Sequence, residues 1–267
     1  MGKIQYLEAP KHTSKLARFL STRQRELDEW AFVHIKIINP AEYSMDEMLQ
    51  FLGYQFQDSS AIILTMRASN EIVVVTKNQN NIGLIRLEGQ INKTVSKNAV
   101  EAAMFPLHKN NLAMLSNILI QHLAPEDVTT RINLKRMQRK SNTMMVVDDD
   151  FMVCRQFENI LGGFGECIIQ NDTQDFFEAY VEHAPDILFL DIHLQTDHGP
   201  DLMKKLRDTI DQHAHIVMIS SDTYETTIRE VKEKGAKGFI VKPLNRQQLF
   251  THVMKMPTFS PREKQMA

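Results

Sequence analysis

The chain has 267 residues, of which 43% are hydrophobic and 24% charged, and its formal net charge is -2 at pH 7. This composition is typical of a globular protein, and the length predicts two domains. The near-neutral charge gives no general case for nucleic-acid or membrane binding. No apolar run reaches the roughly 18–20 residues of a membrane span, and no secretory signal pattern is present. With only Cys154 and Cys167 as thiols, a disulfide framework is not expected, and we predict a cytoplasmic protein.

Residues 1–124 predict a small α+β domain of unknown output function. Apolar residues recur at helical spacing or alternate as in strands, and two apolar segments around a short polar turn predict a hairpin. The order of elements favours an antiparallel sheet in the manner of ferredoxin-like folds. In chain order, the expected elements are a helix, a strand, a helix, the hairpin and two mostly helical segments, over residues 14–30, 31–39, 44–56, 60–77, 81–95 and 111–123.

The hairpin turn "MRASNEIVVV", residues 66–75, resembles the signature turn of diguanylate cyclases. The resemblance puts Glu71 in the place of the catalytic glutamate. The paired glycines are absent, however, and the strand over residues 31–39 lacks the metal-binding aspartate. A domain related to that family would therefore have lost catalysis, and the alternative is an unrelated α+β interaction module. No helix-turn-helix with a basic recognition helix is visible, so the sequence does not support a DNA-binding output.

Residues 125–141 are polar, and their second half is strongly basic. We interpret this segment as a basic linker between two domains whose charges are solvated. The functional alternative is a patch that binds an anionic partner.

Residues 142–258 alternate regularly between short apolar segments and amphipathic ones. The expected strands cover residues 143–148, 166–171, 186–191, 215–221 and 237–243, with a helical segment after each. Five such units predict a five-stranded parallel, doubly wound sheet of the flavodoxin-like class, covered by helices on both faces. A polar tail follows over residues 259–267.

Polar side chains stand where the predicted strands end. The first strand ends in three aspartates, residues 148–150, the third in Asp191, the fourth in Ser220 and the fifth in Lys242. In a parallel sheet these groups share the carboxyl edge, so they can converge on one pocket. Hard carboxylate oxygens suit Mg²⁺, which removes the repulsion between them, and one carboxylate could then attack phosphorus. The pattern therefore predicts a site for a divalent cation and a phosphoryl group.

This half of the chain is similar to the receiver domain of two-component response regulators. The segments that carry the resemblance are "VVDDD", "ILFLD", "VMISS" and "GFIVKP", together with Gly199 eight residues after Asp191. The resemblance implies that Asp191 is the phospho-acceptor. It also implies that the phosphoryl group comes from a sensor histidine kinase or a phosphotransfer protein, with Mg²⁺ as cofactor.

The resemblance assigns the metal ligands beside Asp191 as well. Asp149 is expected to bind Mg²⁺ directly, Asp148 to assist through water, and His193 to offer its backbone carbonyl. The side chain of His193 is also expected to alter the lifetime of the phosphoaspartate; an unchanged dephosphorylation rate in His193→Asn would contradict this. Gln195 stands where the family often has proline, which leaves the shape of the following loop open.

Three further positions match the switch elements of the family. Ser220 corresponds to the switch hydroxyl, Lys242 to the lysine that pairs with the phosphate, and Phe239 to the aromatic switch position. Phe239 lacks the hydroxyl of the commoner tyrosine, so a switch here would work through ring packing alone. Phosphorylation is expected to change the face formed by the last two helices and the last strand. That face would hold or release the amino-terminal domain, a second receiver in a homodimer, or a separate partner.

The run of aspartates has two other interpretations. Asp150 directly precedes a helical segment, and we interpret it as a helix N-cap rather than as a ligand. The start "VVDDDFM" also fits a haloacid-dehalogenase-type phosphatase, in which Asp148 would be the nucleophile and Asp150 the general acid. That family needs an acidic pair after the lysine, and only Glu263 follows Lys242.

The sequence thus predicts a phosphorylation-controlled response regulator whose receiver stands behind a domain of unknown output. Its own chemistry would be limited to phosphorylation and dephosphorylation of the receiver, without another enzyme activity. The competing hypothesis is a nucleotide-handling, cyclase-like enzyme in the first half of the chain that the receiver regulates.

Overall fold

The computed structural model describes residues 3–23, 26–77, 87, 89–91 and 98–256. The chain divides into two compact units, Met1–Gln138 and Arg139–Ala267. Each unit contains its own five-stranded sheet. Among the described helices, none combines the length and the apolar character that a membrane span requires.

The amino-terminal unit has a mixed sheet with helices on both faces. Its described elements are β1 (Ile4–Glu8), α1 (Thr13–Thr22), β2 (Trp30–Ile37), α2 (Met45–Gln55), β3 (Ala61–Met66), β4 (Glu71–Lys77), β5 (Val100–Pro106), α3 (Lys109–Gln121) and α4 (Val128–Gln138). The sheet order is β1-β3-β4-β2-β5. Within it, the pairs β5-β2, β2-β4 and β4-β3 are antiparallel, and β1 pairs with β3 in parallel.

The α+β class expected for this unit is confirmed, and two details of the expectation are corrected. The order β5-β2-β4-β3 is the split arrangement of ferredoxin-like folds. The sheet is not wholly antiparallel, because β1 adds a parallel edge that the sequence did not reveal. In β1 only Leu7 is buried, and most of β5 is half-exposed, so neither strand carries a strong apolar pattern. The helix expected over residues 81–95 lies largely outside the described residues; Leu87 and residues 89–91 are helical.

Local sequence explains the two central connections of this unit. The hairpin between β3 and β4 is confirmed, and Asn70 adopts the left-handed conformation in it with φ of 56°. Asparagine tolerates that conformation better than most residues. Helix α2 begins with a capping box, in which Ser44 accepts from the amide of Glu47 and the Glu47 side chain accepts from the amide of Ser44.

The two faces of the sheet bury different residues because neighbouring residues of a strand point to opposite sides. One face of β2 carries Trp30 and Phe32, which pack with Val73 and with helices α1, α3 and α4. The other face carries Val33 and Ile35, which pack with α2. Apolar core therefore lies on both sides of this sheet.

The linker interpretation of residues 125–141 is wrong for most of the segment. Residues Val128–Gln138 form α4, which packs on α1 and α3 within the amino-terminal unit. Ile132, Leu134 and Met137 are buried in that packing. Basic residues stand between these apolar positions, and their density conceals the apolar stripe in the sequence.

The carboxy-terminal unit has the expected parallel, doubly wound sheet. Its elements are β6 (Asn142–Val147), α5 (Phe151–Leu161), β7 (Gly165–Gln170), α6 (Phe176–His183), β8 (Ile187–Asp191), α7 (Gly199–Thr209), β9 (Ile216–Ser220), α8 (Glu225–Glu233), β10 (Gly238–Val241) and α9 (Arg246–Val253). The order is β7-β6-β8-β9-β10, and every pairing is parallel. The chain reverses its winding direction after β7, and in such sheets the reactive groups collect at the carboxyl edge beside that reversal. The polar tail expected over residues 259–267 lies outside the described residues.

Candidate functional site

Three aspartates converge at the carboxyl edge of the second sheet. Asp148 directly follows β6 and Asp191 ends β8, two neighbouring strands in which Val147 pairs with Leu190. Asp148, Asp149 and Asp191 each bring one carboxylate oxygen within 4.8 Å of the others. Asp148 and Asp191 are buried, and Asp149 is half-buried. Of the sequence-predicted ligands, the structure thus brings together the three carboxylates.

Lys242 follows β10 and lies between two of these aspartates. Its Nζ is 2.8 Å from Oδ2 of Asp148 and 2.9 Å from Oδ1 of Asp191. Burial opposes the charge of the lysine, but its hydrogen bonds to Asp148 and Asp191 outweigh burial, so the pKa of Lys242 is raised. Burial also raises the pKa of Asp148, and the contact with Lys242 counters this only in part. The ammonium group therefore holds together two buried carboxylates that would otherwise repel each other.

Ser220 ends β9 on the strand next to β8, and its side chain is fully buried. Its Oγ accepts a hydrogen bond from the amide of Asp222 at 3.0 Å. Its carbonyl accepts from the amide of Lys242 at 2.8 Å. The neighbouring Ser221 is exposed. Of the two serines, Ser220 is therefore the one that the backbone ties directly to the lysine.

The residues after Asp191 form a close turn around its carboxylate. The amide of His193 donates to Oδ2 of Asp191 at 3.0 Å, whereas the His193 side chain is exposed. His193 also forms an isolated bridge with His198. Gly199 follows, and a β-carbon there would collide with the backbone oxygen of Asp191. The requirement for glycine at this position is thus steric.

Phe239 lies on β10 next to Met218 of β9 and is half-buried. Its ring is therefore neither locked in the core nor fully in solvent. This is the position that the sequence assigned to an aromatic switch.

Asp150 belongs to the helix rather than to the cluster, as expected. It is the N-cap of α5, and its side chain accepts from the amide of Met152 at 2.8 Å and from that of Val153 at 3.4 Å. Its own amide donates to Oδ1 of Asp148 at 3.0 Å. The N-cap interpretation is therefore confirmed, with the addition that the backbone of Asp150 orients Asp148.

Sequence reasoning missed several neighbours of Asp148 and Asp191. The backbone amides of Asp150 and His193 are two of them, and only the positions of the turns could have indicated them. The third is Cys154, whose Sγ donates to the backbone oxygen of Asp148 at 3.2 Å. Burial, followed by the negative charge of Asp148, raises the pKa of Cys154 to about 12. Cys154 is therefore a packed thiol rather than a reactive one.

The glutamate singled out in the first unit lies in a different environment. Glu71 begins β4, and its Oε2 is 3.7 Å from Nε2 of His34 and 3.5 Å from Nε2 of His122. In the part of the chain that the structure describes, the aspartate cluster is the group that brings three potential donors within 4.8 Å of one another. The structure thus surrounds Glu71 with histidines rather than with a second carboxylate.

The family model described as "Response regulator receiver domain" matches residues 144–254. Chemotaxis protein CheY of Bacillus subtilis is 27% identical over 117 residues, which cover 43% of this chain and 97% of that protein. Chemotaxis protein CheY of Thermotoga maritima is 30% identical over 102 residues, which cover 38% of this chain and 84% of that protein. These matches concern the carboxy-terminal unit.

Solved structures include similar chains. One is described as the CheX-CheY-BeF3-Mg+2 complex from Borrelia burgdorferi, with 30% identity and a TM-score of 0.40. The match covers 42% of this chain and 87% of that chain.

Proposed function

The chain belongs to the response regulator receiver family through its carboxy-terminal unit, and we propose that it is a phosphorylation-controlled signalling protein. In this proposal Asp191 accepts a phosphoryl group from the phosphohistidine of a sensor histidine kinase or a phosphotransfer protein. The observation that carries the proposal is the convergence of three carboxylates with Lys242 at the carboxyl edge of the parallel sheet.

The proposed reaction is a single displacement at phosphorus. A carboxylate oxygen of Asp191 forms the new P–O bond while the P–N bond of the phosphohistidine breaks, and the electron pair of that bond remains on the imidazole nitrogen. The contacts of Asp191 support this role, because the His193 amide and the Lys242 ammonium group hold its carboxylate in one orientation. Lys242 contacts Oδ1 of Asp191, so its ammonium group is positioned to pair with an oxygen of the transferred group.

The donor set fits a magnesium ion. Asp148, Asp149 and Asp191 supply hard carboxylate oxygens within 4.8 Å of one another, which is the donor type that Mg²⁺ prefers. When bound, the ion would neutralise charge on the carboxylates and on the phosphoryl oxygens. Asp149 would hold it directly, Asp148 through water, and His193 through its backbone carbonyl.

We propose that phosphorylation is read out through Ser220 and Phe239. Phosphorylation adds a charge of about -1.5 to -2 at Asp191. The Ser220 hydroxyl lies at the end of the strand next to β8, and it would exchange its bond with the Asp222 amide for one with the phosphoryl group. The half-buried ring of Phe239 would follow and change the face formed by α8, β10 and α9.

The proposed readout acts on a protein contact. The altered face would hold or release the amino-terminal unit, a second receiver, or another protein, and no nucleic-acid contact is proposed. The free thiols of Cys154 and Cys167 fit the proposed cytoplasmic location.

The experiment that tests the proposal is phosphorylation of the purified full-length chain by acetyl phosphate with Mg²⁺, followed by mass spectrometry. We expect one phosphoryl group on the wild-type chain and none on Asp191→Asn. Asp150→Asn is the matched control, since asparagine also caps helices and this side chain lies outside the carboxylate cluster. It should be phosphorylated like the wild type.

Two outcomes would overturn the proposal. One is full phosphorylation of Asp191→Asn. The other is hydrolysis of a phosphate ester that stops in Asp148→Asn and continues in Asp191→Asn, which is the behaviour of the haloacid-dehalogenase-type alternative.

A further inference from the structure

A second cluster of potential ligands lies in the amino-terminal unit and consists of two histidines and one glutamate. His34 is on β2, Glu71 begins β4, and His122 directly follows α3. The Nε2 atoms of both histidines face the same carboxylate oxygen, Oε2 of Glu71, at 3.7 Å and 3.5 Å. Three residues far apart in the sequence thus direct nitrogen and oxygen atoms toward one point.

Strand register brings His34 and Glu71 together. Lys36 of β2 lies directly opposite Glu71 of β4, and His34 lies opposite Val73. Residues two apart in a strand share a face, so His34 and Glu71 are diagonal neighbours on one side of the sheet. That is the side on which α1, α3 and α4 pack.

His122 completes the cluster from the end of a helix. It is the C-cap residue of α3, and its carbonyl accepts a hydrogen bond of 2.9 Å from the buried hydroxyl of Thr13 in α1. The backbone of His122 is therefore held in place above the sheet. The exposed fractions of the three side chains are only 20%, 16% and 16% for His34, Glu71 and His122.

Ordinary hydrogen bonds do not account for these contacts. The two N···O distances are longer than the roughly 2.7–3.2 Å of an N–H···O hydrogen bond. Both Nε2 atoms are buried and have no hydrogen-bond partner among the residues that the structure describes. Burial lowers the pKa of His34, and the Glu71 carboxylate opposes this only in part. Both histidine nitrogens therefore face the Glu71 carboxylate at distances longer than an ordinary hydrogen bond.

We propose that His34, Glu71 and His122 bind a divalent transition-metal ion of the Zn²⁺ class. Two imidazoles and one carboxylate are donors that such ions prefer, and Mg²⁺ does not favour nitrogen. Around Zn²⁺ with bonds of about 2.0–2.1 Å, tetrahedral geometry separates neighbouring ligand atoms by about 3.3–3.4 Å. The separations of the two histidine nitrogens from the Glu71 oxygen exceed this by only a few tenths of an ångström.

Among the described residues, the aspartates are the group whose donor atoms all lie within 4.8 Å of one another. The two imidazole nitrogens are therefore more than 4.8 Å apart, which is farther than a shared ion allows. Binding would draw the imidazoles together. His34 is fixed on a strand that has neighbours on both sides, so rotation of the His122 side chain at the helix end would make most of this movement. The ion would then join β2, β4 and the end of α3. This proposal does not depend on the function proposed for the receiver.

The test is titration of the untagged 267-residue chain with Zn²⁺ by calorimetry in excess Mg²⁺, which would occupy the aspartate cluster. We expect one Zn²⁺ per chain, and Co²⁺ in its place should give the visible absorption of a tetrahedral site. Loss of a partner outside the ligand sphere already weakens metal affinity by about 10–100-fold. His34→Gln and His122→Gln should therefore each weaken Zn²⁺ binding at least tenfold.

The matched control is His108→Gln. His108 is exposed at the N-cap of the same helix α3, so its replacement should leave the affinity for Zn²⁺ unchanged. Circular dichroism would establish that each variant folds, and the cobalt spectrum of the wild type tests the site without any variant. Absence of binding, equal binding in all three variants, or loss of binding in Asp149→Asn would overturn the proposal. The last result would assign the ion to the aspartate cluster.

Discussion

The two units place their charged clusters in different parts of a sheet. In the receiver unit, Asp148, Asp191 and Lys242 lie at strand ends on the carboxyl edge. In the amino-terminal unit, His34 and Glu71 lie on the face of a mixed sheet. A parallel sheet brings its strand ends together by topology alone, whereas a cluster on a face depends on the register of particular strands.

The two clusters also differ in their electrostatics. The receiver cluster contains an ammonium group within 2.9 Å of two carboxylates, so opposite charges are in direct contact. The histidine cluster has its two nitrogens 3.5 Å and 3.7 Å from one oxygen and no direct hydrogen bond of these nitrogens within the described residues. Removal of one charged partner should therefore have the larger effect in the receiver.

The largest expected effect is that of Lys242→Met in the absence of metal. Without the ammonium group, Asp148 and Asp191 remain buried and unpaired, and breaking a buried pair in this way typically costs about 3–5 kcal/mol. Hydrogen exchange of the β6 and β8 amides, measured by mass spectrometry, would report the free energy of unfolding of this unit. If Mg²⁺ binds the folded cluster as proposed, added Mg²⁺ should restore part of the loss.

Lys140→Met is the control for that experiment, because Lys140 is an exposed lysine of the same unit. It should change the free energy of unfolding by less than about 0.5 kcal/mol. Equal protection in the two variants would mean that the lysine pairing does not distinguish the receiver cluster from the histidine cluster.

The receiver could be predicted closely from the sequence because its signals are local. Each strand is a short apolar run, and each functional residue stands at the end of one. The parallel topology then brings these strand ends to one edge of the sheet. What remained hidden were hydrogen bonds such as those from the amides of Asp150 and His193, which depend on the shape of two turns. In the other unit, β1 and β5 escaped prediction because they bury few side chains.

The second-largest effect tests where the amino-terminal unit ends. Leu134→Ala removes a fully buried side chain of α4 and should destabilise this unit by about 2–5 kcal/mol. Urea denaturation followed by hydrogen exchange in β2 and β4 would measure it. Leu134→Met keeps the apolar volume and should cost less than about 1.5 kcal/mol. If α4 behaved as a solvated linker, neither variant would change the stability.

The histidine cluster could not be predicted from the sequence. His34 falls within an apolar alternation, and a single histidine there indicates nothing about Glu71 or His122. Their proximity follows from the pairing of β2 with β4 and from the length of α3. The basic residues of α4 concealed its buried positions as well, because they stand between Ile132, Leu134 and Met137 in the sequence.

A third prediction concerns acid stability, where the two units should behave alike. Burial lowers the pKa of His215 to about 4. Nearby positive charges add to this effect, and they come from His252, Lys237, Lys255 and Arg207. The unfolded chain takes up a proton on this histidine below pH 6.5, whereas the folded receiver does not do so until about pH 4. Above pH 6.5 this histidine is neutral in both states, and as pH falls through this window its protonation in the unfolded chain lowers the free energy of unfolding.

Over that window the loss attributable to His215 should reach up to about 3 kcal/mol. His215→Gln should remove this part of the pH dependence of the free energy of unfolding, measured by urea denaturation between pH 7 and pH 4. His213→Gln replaces an exposed neighbour and should leave the pH dependence unchanged. His34 has a lowered pKa for the same main reason, burial, so acid should weaken the amino-terminal unit with the same sign. A receiver whose free energy of unfolding did not fall between pH 7 and pH 4 would contradict this expected similarity between the units.

The smallest predicted effect distinguishes the roles of two adjacent aspartates, Asp149 in the carboxylate cluster and Asp150 at the helix N-cap. Asp150→Ala removes two hydrogen bonds at the start of α5 and should lower the stability of the receiver by about 1 kcal/mol while phosphorylation by acetyl phosphate continues. Asp149→Asn should change stability little but reduce phosphorylation strongly, because Asp149 contributes a carboxylate to the aspartate cluster that we propose binds Mg²⁺. A receiver that loses phosphorylation in both variants, with α5 intact by circular dichroism, would require Asp150 to act in the cluster. The opposite pattern is expected because the side chain of Asp150 accepts from Met152 and Val153, and only its backbone amide reaches Asp148.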